Sequence, residues 1–321
     1  MPRARRSVLF APGDRPDMLR KTLTTGADVV VFDLEDAVGP ERKDEAREAV
    51  NDVLHGIDSA PDSGPDTDTD ADHDRDRGSE SDHDPEVLVR VTREEFETDL
   101  DRVLTGDPRL DGVMLPKVGS SADVEALATD LDERGKETPI VALIESAHGV
   151  LNAASIADTQ PVDALCFGAE DLAADVGAER TPEGTEVLYA RQKVVLAAGS
   201  AGIDAIDTIF TEISETGRLR EETAFARGLG YDGKMAIHPT QVPVINDAFT
   251  PDAERVEWAE RVLDARKESE AEGEGRGVFR VDGEMIDAPL IAQAERVVAL
   301  ARAANGNGDE SESGDEHENG D

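Results

Sequence analysis

Eight short apolar runs recur along this chain, and each is followed closely by a charged or reactive side chain. The runs are Ser7–Ala11, Asp28–Asp33, Val87–Val91, Gly112–Pro116, Pro139–Glu145, Asp163–Gly168, Ile203–Asp207 and Gly233–His238. Stretches with helical character separate them, and strands that alternate with helices predict parallel βα units. Eight such units in succession predict an α/β fold in which the strands close into a (β/α)8 barrel.

The polar side chains that follow the runs predict where function resides. In a parallel barrel every strand ends on the same face, where the catalytic loops lie. Ten groups are therefore predicted to converge there, either as an active site or as a salt-bridged rim. They are Arg15, Asp33, Glu35, Asp36, Arg90, Lys117, Glu145, Asp171, Asp207 and His238.

The chain is strongly acidic, with a formal net charge of −40. Asp58–Pro85 contributes −9 and Ala304–Asp321 contributes −7, which leaves −24 on the other 275 residues. This charge argues against nucleic acid as a partner, because like charges repel. Only seven lysines accompany 26 arginines. An acidic, lysine-poor surface suits molar salt, where screening removes self-repulsion, so we predict a halophilic protein; an ordinary acidic enzyme is the alternative.

The expected location is the cytoplasm. Cys166 is the single cysteine, so no intramolecular disulfide can form, and its apolar surroundings predict a buried, inert thiol. No apolar stretch approaches the 18 residues of a membrane span, and the basic N-terminus leads into a short strand rather than a signal sequence. We therefore expect no membrane association.

We predict a barrel domain over residues 1–272 and a C-terminal helical appendage. Asp58–Pro85 lacks large apolar residues, so it is predicted to be a disordered acidic insertion within the barrel domain, away from its catalytic end. Residues 273–303 are predicted to form a lid segment and a helix, and 304–321 a disordered acidic tail. Predicted helices cover Asp17–Thr25, Glu41–Gly56, Ser121–Arg134, Thr185–Ala201, Glu221–Gly228, Gln241–Ala248, Asp252–Ala271 and Pro289–Ala304.

Two carboxylates suggest a metal site. Glu145 ends the fifth run and Asp171 follows the sixth, and adjacent strands lie about 4.8 Å apart. Two carboxylates completed by water and substrate oxygens match the preference of Mg²⁺, with Mn²⁺ as the alternative ion. The spacing alone is weak evidence, and it is their placement at consecutive strand ends that supports a metal site; two acids that bind no metal are the alternative.

The buried cations leave two readings open. Arg90 interrupts an apolar strand, and a guanidinium there needs a carboxylate partner. Either it binds a substrate carboxylate or it neutralises barrel acids such as Asp33 and Glu35. Lys117 and Lys234 raise the same question. His238 is predicted either as an acid/base group or as a histidine fixed against the core.

Eight short motifs follow one another along the chain. They are Arg6-Ser-Val-Leu-Phe-Ala-Pro-Gly13, Asp33-Leu-Glu-Asp-Ala-Val38, Val89-Arg-Val91, Leu115-Pro-Lys-Val118, Glu145-Ser-Ala-His-Gly149, Gly168-Ala-Glu-Asp-Leu172, Gly233-Lys-Met-Ala-Ile-His-Pro-Thr-Gln241 and the segment from Asp282 to Pro289. As a set they resemble the citrate lyase β-subunit-like branch of the HpcH/HpaI aldolase superfamily. The resemblance runs from Arg6 to about Val298, skipping the acidic insertion.

This resemblance implies a TIM barrel, usually trimeric, that binds Mg²⁺ and a 3-hydroxyacyl-CoA; a homotrimer or hexamer is expected. The implied roles fall on single positions of this chain. Glu145 and Asp171 match the metal ligands, Arg90 the arginine that binds the acyl carboxylate, and Asp287 an aspartate delivered by a neighbouring subunit. Phe10, Arg15 and Lys21 match contacts to coenzyme A. Thr92 departs from the usual asparagine, which puts one polar contact in doubt.

The expected activity is reversible cleavage of a 3-hydroxyacyl-CoA to an acyl-CoA and a 2-oxo acid. Malyl-CoA or β-methylmalyl-CoA is the favoured substrate, and citryl-CoA or citramalyl-CoA is the runner-up. A malyl-CoA thioesterase or malate synthase on the same scaffold, and a catalytically idle assembly subunit, are the other classes. Asp287 is the candidate base or water activator; its alternative role is the N-cap of the helix that begins near Pro289.

Overall fold

The computed structural model describes residues 4–58, 84–271 and 278–304, and its largest element is a closed barrel of eight parallel strands paired in sequence order. Each strand lies within two residues of a predicted run, so the predicted (β/α)8 barrel is confirmed. The strands are β1 Ser7–Pro12, β2 Val29–Asp33, β3 Glu86–Arg90, β4 Gly112–Leu115, β5 Ile140–Ile144, β6 Val162–Phe167, β7 Asp204–Asp207 and β8 Gly233–Ala236.

Helices connect the strands around the barrel. They are α1 Pro16–Thr22, α2 Lys43–Asp58, α3 Phe96–Val103, α4 Ser121–Glu133, α5 Ala147–Ala157, α6 Ala169–Val176, α7 Leu188–Ala201, α8 Thr216–Leu229 and α9 Val242–Phe249. Ser120 and Asp123 form a capping box at the start of α4. Helix α7 ends at Gly202 with a positive φ of 71°, a conformation that glycine adopts without strain.

The barrel is packed on both faces of its sheet. Alternate strand residues fill the interior, where Cys166 is fully buried among valines, leucines and methionines. The remaining strand residues pack against the helices in a second, larger apolar cluster. Burial raises the pKa of the Cys166 thiol, which confirms the prediction of an inert thiol.

The basic N-terminal segment closes the end of the barrel where the strands begin. The Arg5 guanidinium donates to Glu86 at 2.7 and 2.8 Å and to Asp163 at 2.8 Å. Arg6 donates to Asp28 at 2.8 Å. These arginines therefore pair with acids at the beginnings of strands, which explains a basic segment that leads directly into β1.

The C-terminal part forms a separate compact unit from Thr250 onward. Helix α10, Ala253–Ala271, packs on α11, Ala288–Ala304, and on the hairpin of β9, Phe279–Val281, and β10, Glu284–Ile286. Asp282 and Gly283 turn this hairpin with φ of 53° and 88°. The predicted barrel domain extended to residue 272; the structure places α10 in this unit instead, because its apolar residues pack against α11.

Most of the predicted acidic insertion and the whole tail beyond residue 304 lie outside the described residues. Within the described ranges, no helix is both long and apolar enough to cross a membrane.

Candidate active site

A cavity of about 400 Å³ opens where the barrel strands end. Five of the ten predicted convergent groups line it, which places the candidate site on the expected face. These are Asp33, Asp36, Arg90, Glu145 and Asp171. The rest of the lining is mainly apolar and includes Phe10, Leu143, Ile209, Met235 and Ile237.

Asp207 belongs to the barrel core rather than to this site, contrary to the expected convergence. Its fully buried carboxylate accepts two hydrogen bonds from Arg191 at 2.7 Å and one from Lys234 at 2.7 Å. Burial opposes ionisation of Asp207, but the charges of Lys234 and Arg191 outweigh it and lower the pKa. Lys234 is therefore part of a structural ion-pair cluster.

His238 caps a short helical turn after β8. Its Nδ1 lies 2.8 Å from the Thr240 hydroxyl and 3.3 Å from the Thr240 amide nitrogen. The imidazole is half-buried and lies outside the cavity lining. His238 is therefore fixed in place by this cap, and an acid/base role stays a prediction.

Glu145 reaches the cavity through a gap in the neighbouring strand. Ile144 and Phe167 are paired across β5 and β6, so Glu145 lies beside Gly168. A Cβ atom at position 168 would lie 2.6 Å from the Glu145 Cβ and 2.8 Å from its Oε2, closer than real contacts allow. Glycine is therefore required at position 168 for the carboxylate to occupy this space.

The Glu145 and Asp171 carboxylates are close enough to interact. Burial is the main cause that raises the pKa of Glu145 to about 8. The negative charge of Asp171 and a hydrogen bond to Asp171 also raise this pKa, whereas the hydrogen bond from the Lys117 amide lowers it. A divalent cation would relieve this repulsion. Among the described residues no group of three or more His, Cys, Asp or Glu side chains could hold a metal. Two carboxylates with open positions for water suit Mg²⁺ better than the closed sites of zinc.

Arg90 is held by its strand neighbour. Asp33 and Arg90 are paired across β2 and β3, and the guanidinium donates from Nε and Nη2 to the Asp33 carboxylate at 2.7 and 2.6 Å. Its Nη1 lies 3.4 Å from Glu35 Oε2, and its guanidinium carbon lies 5.2 Å from the centre of the Phe10 ring. Arg90 thus neutralises Asp33 while still lining the cavity, so both readings of it fit the geometry.

Glu35 and Lys117 lie outside the cavity lining. The Lys117 ammonium donates to Glu35 Oε1 at 2.6 Å and lies 3.6 Å from Asp36. Burial raises the pKa of Glu35 in spite of this ammonium. Lys43 donates to the Glu35 carbonyl at 2.8 Å and to the Thr92 hydroxyl at 3.3 Å. Thr92 in turn donates to the Leu34 carbonyl at 3.1 Å, so threonine keeps a polar contact at this position.

The three residues matched to coenzyme A contacts differ in position. Phe10 lines the cavity, whereas Arg15 and Lys21, at the two ends of α1, are exposed and outside its lining. The cavity also contains a group that the sequence did not single out. Thr208, directly after β7, accepts a hydrogen bond from the Ala169 amide at 3.1 Å and so fixes the start of α6. Its position after a strand was the available signal.

Asp287 lies in the C-terminal unit, directly before α11. Its Oδ1 accepts the Leu290 amide at 3.4 Å, and its carbonyl accepts the Ile291 amide at 3.0 Å. This is the arrangement of a helix N-cap. The capping role of Asp287 is therefore observed, and a catalytic role stays a prediction.

Known proteins resemble this chain over most of its length. The family model described as HpcH/HpaI aldolase/citrate lyase matches residues 6–65 and 80–239. A citrate lyase subunit beta-like protein of Deinococcus radiodurans is 39% identical over 301 residues, covering 92% of this chain and 96% of the relative. The mitochondrial citramalyl-CoA lyase of Homo sapiens is 31% identical over 315 residues, covering 92% and 85%.

A solved structure also matches. Protein CitE from Mycobacterium tuberculosis in complex with magnesium, acetoacetate and coenzyme A superposes with a TM-score of 0.68 at 32% identity, over 93% of this chain and 98% of that one. Since the family model spans the barrel and these relatives align with more than nine-tenths of the sequence, the chain belongs to the HpcH/HpaI aldolase/citrate lyase family.

Proposed function

We propose that this protein is a Mg²⁺-dependent carbon–carbon lyase that reversibly cleaves a 3-hydroxyacyl-CoA into an acyl-CoA and a 2-oxo acid. The observation that carries the proposal is the buried Glu145 carboxylate beside Asp171, in a cavity that Arg90 also lines. The human relative named citramalyl-CoA lyase and the magnesium- and coenzyme A-bound CitE structure support the same activity class.

Glu145 and Asp171 are the residues that would hold the metal. Mg²⁺, or Mn²⁺ in its place, supplies positive charge there that polarises substrate oxygens. Cleavage moves the electron pair of the bond between the α- and β-carbons onto the α-carbon. The hydroxyl loses its proton and the α-carbon gains one, so the site needs an acid/base group.

Arg90 is proposed to bind a substrate carboxylate. Asp33 fixes one edge of its guanidinium, while Nη1 makes no hydrogen bond as short as those to Asp33. A fixed, desolvated guanidinium is a strong hydrogen-bond donor to a carboxylate, because its orientation is set before the substrate arrives. Asp287 of a neighbouring subunit remains the proposed acid/base group.

The charges around the cavity favour a 2-oxo acid with one carboxylate. Arg90 is the single cation among the described lining residues, whereas Asp33, Asp36 and Glu170 are acids. A second carboxylate, as in the oxaloacetate released from citryl-CoA, would face these acids. We therefore favour malyl-CoA or β-methylmalyl-CoA, which release glyoxylate. Citramalyl-CoA is the second candidate, because an apolar lining of Leu143, Ile209 and Met235 suits the methyl group of pyruvate.

A panel of four CoA thioesters tests this function. Malyl-, β-methylmalyl-, citramalyl- and citryl-CoA are incubated with Mg²⁺ or with EDTA, and 2-oxo acid, acyl-CoA and free CoA are quantified by mass spectrometry. We expect Mg²⁺-dependent release of acyl-CoA with glyoxylate. Free CoA with malate would indicate the thioesterase, and free CoA formed from acetyl-CoA and glyoxylate would indicate malate synthase. Absence of turnover of all four thioesters would overturn the proposal.

Coenzyme A is proposed to bind at α1 and β1. Phe10 offers an apolar face at the cavity, and Arg15 and Lys21 offer exposed cations for the phosphate groups. Replacing Arg15 and Lys21 with alanine is expected to raise the KM for the CoA thioester with little change in kcat.

Self-association is proposed through a face formed by α5 and α7. Neither helix contains an acidic residue, although the chain has 73 in 321 positions. Leu151, Tyr189 and Leu196 are exposed on them by 66, 69 and 74%, and Tyr189 and Leu196 line a groove of about 340 Å³. Two chains of net charge −40 meet with least repulsion where acids are lacking, so we propose a second copy as the occupant, in a trimer or hexamer.

Light scattering of the Leu196→Glu variant tests this face. We expect dissociation of the variant, while Met18→Glu, an equally drastic change at an exposed apolar residue on α1, is expected to leave the assembly intact. An unchanged mass for Leu196→Glu would exclude the face.

A further inference from the structure

The motif Leu115-Pro-Lys-Val118 contains a residue in an unusual backbone conformation. Lys117 follows β4 with a φ of 54°, in the left-handed region that lysine rarely adopts. The next residue, Val118, is held on two sides. The Val118 amide donates to the Leu143 carbonyl at 3.2 Å, and a Cβ atom at Gly149 would lie 2.3 Å from the Val118 carbonyl oxygen. The packing of α5 therefore keeps Lys117 in this conformation.

This conformation points the Lys117 amide at the proposed metal ligand. The amide nitrogen lies 2.7 Å from Glu145 Oε1. Glu145 Oε2 faces Gly168, at the start of the helix that carries Asp171. One carboxylate oxygen is therefore occupied by the main chain, and the other is left for the cation.

The Lys117 side chain acts on a second functional residue. Its ammonium occupies Glu35 Oε1, while Glu35 Oε2 is buried without a hydrogen bond, 3.4 Å from Arg90 Nη1. If the ammonium were removed, the Glu35 carboxylate would draw the Arg90 guanidinium toward itself. Lys117 thereby keeps Nη1 of Arg90 available.

We propose that Lys117 is a positioning residue that orients Glu145 through its amide and preserves Arg90 by pairing with Glu35. This inference rests on the proposed function, because it assigns Lys117 a task toward the proposed metal ligand and the substrate-binding arginine.

Three substitutions separate the two tasks. Lys117→Gly, Lys117→Met and Lys117→Val all lose the ammonium, but they differ in tolerance of the left-handed conformation, which valine disfavours most. Mg²⁺ affinity is measured by calorimetry without substrate. We expect the Lys117→Gly and Lys117→Met variants to bind Mg²⁺ at least as tightly as wild type. The Lys117→Val variant should bind it about tenfold more weakly, because it loses a hydrogen bond to a charged group. Gly149→Ala, which displaces the Val118 peptide without changing the site's chemistry, is expected to weaken Mg²⁺ binding similarly. Equal Mg²⁺ affinities of the Lys117→Met, Lys117→Val and Gly149→Ala variants would overturn the proposed role of the amide.

Steady-state kinetics test the ammonium. Lys117→Met is expected to raise the KM for the CoA thioester about tenfold, and Lys117→Arg to rescue it. In the double variant Glu35→Gln/Lys117→Met the neutral amide no longer attracts Arg90, so KM is expected to return toward wild type. Additive losses in the double variant would overturn this role. If wild type turns over no CoA thioester, the proposed function fails, yet the Mg²⁺ affinities still decide the amide role.

Discussion

Replacing the proposed metal ligand Glu145 with glutamine is expected to make the metal-free protein more stable. Glu145 is 5% exposed, and burial is the largest of the effects that raise its pKa from 4.5 to about 8. Between these two pH values the folded protein keeps a proton that the unfolded chain has already lost. The ionisation of Glu145 therefore destabilises the fold progressively as pH rises from 4.5 to 8.

The size of this effect follows from the two pKa values. One pH unit corresponds to about 1.4 kcal/mol, so full ionisation above pH 8 costs about 5 kcal/mol. Glutamine removes this cost, and its amide oxygen can still accept the Lys117 amide that now lies 2.7 Å from Oε1. Its amide nitrogen can donate to Asp171, where a second carboxylate can only repel. We expect Glu145→Gln to match wild type near pH 5 and to exceed its free energy of unfolding by several kcal/mol at pH 8.5.

Mg²⁺ is expected to narrow this difference in stability. Wild type should gain about 2.7 kcal/mol when the free ion reaches 100 times its Kd, whereas Glu145→Gln should gain nothing. Urea unfolding followed by circular dichroism at pH 5 and 8.5, with Mg²⁺ and with EDTA, measures all four conditions. Asp171→Asn is the matched control: Asp171 is half-buried, so this variant should lose the response to Mg²⁺ with a smaller gain in metal-free stability. Equal stability of Glu145→Gln and wild type at pH 8.5 in EDTA would refute the reasoning.

Three further predictions follow from the same structure. Gly168→Ala is expected to abolish Mg²⁺ binding measured by calorimetry, because its Cβ would lie 2.6 Å from the Glu145 Cβ; unchanged affinity would contradict the packing argument. Asp287→Ala should cost about 1 kcal/mol of stability if the residue only caps α11, but roughly 10²–10⁴ in kcat if it is the acid/base group. In the latter case mixed oligomers of Asp287→Ala and Glu145→Gln should regain activity, and failure to do so would exclude a shared site. Finally, thermal unfolding should shift upward between about 0.1 and 2 M KCl as the Debye length falls; a shift no larger than that of an ordinary acidic enzyme would remove the halophilic interpretation.

The barrel and the proximity of the two proposed metal ligands were predictable because each depends on local pattern and chain order. Strands buried on both faces read as apolar runs, and the turns and helices between them interrupt those runs. In a barrel whose strands pair in sequence order, residues that end successive strands become neighbours. Glu145 and Asp171 follow β5 and β6, so the sequence order alone implies their proximity.

The C-terminal unit was predictable only in part. The amphipathic period of α11 and the extent of α10 were visible in the sequence, whereas the strand Glu284–Ile286 was not identified although Asp282-Gly283 is a strong hairpin signal. That α10 belongs with α11 rather than with the barrel was decided by packing, since an apolar helix face does not specify which surface will bury it.

The sequence alone thus determined the fold class, the face that carries the site and the two candidate metal ligands. The tertiary structure alone decided which charges meet: Arg90 with Asp33, Lys117 with Glu35 and Glu145, and Lys234 with Asp207. The reason is strand register. A charged residue at a strand end faces the cavity or the core according to a shift of one residue, and its partner belongs to a strand distant along the chain. Composition and spacing therefore predict the fold class and the position of the site. The ion-pair partner of each charged residue is decided only when the eight strands close into a barrel.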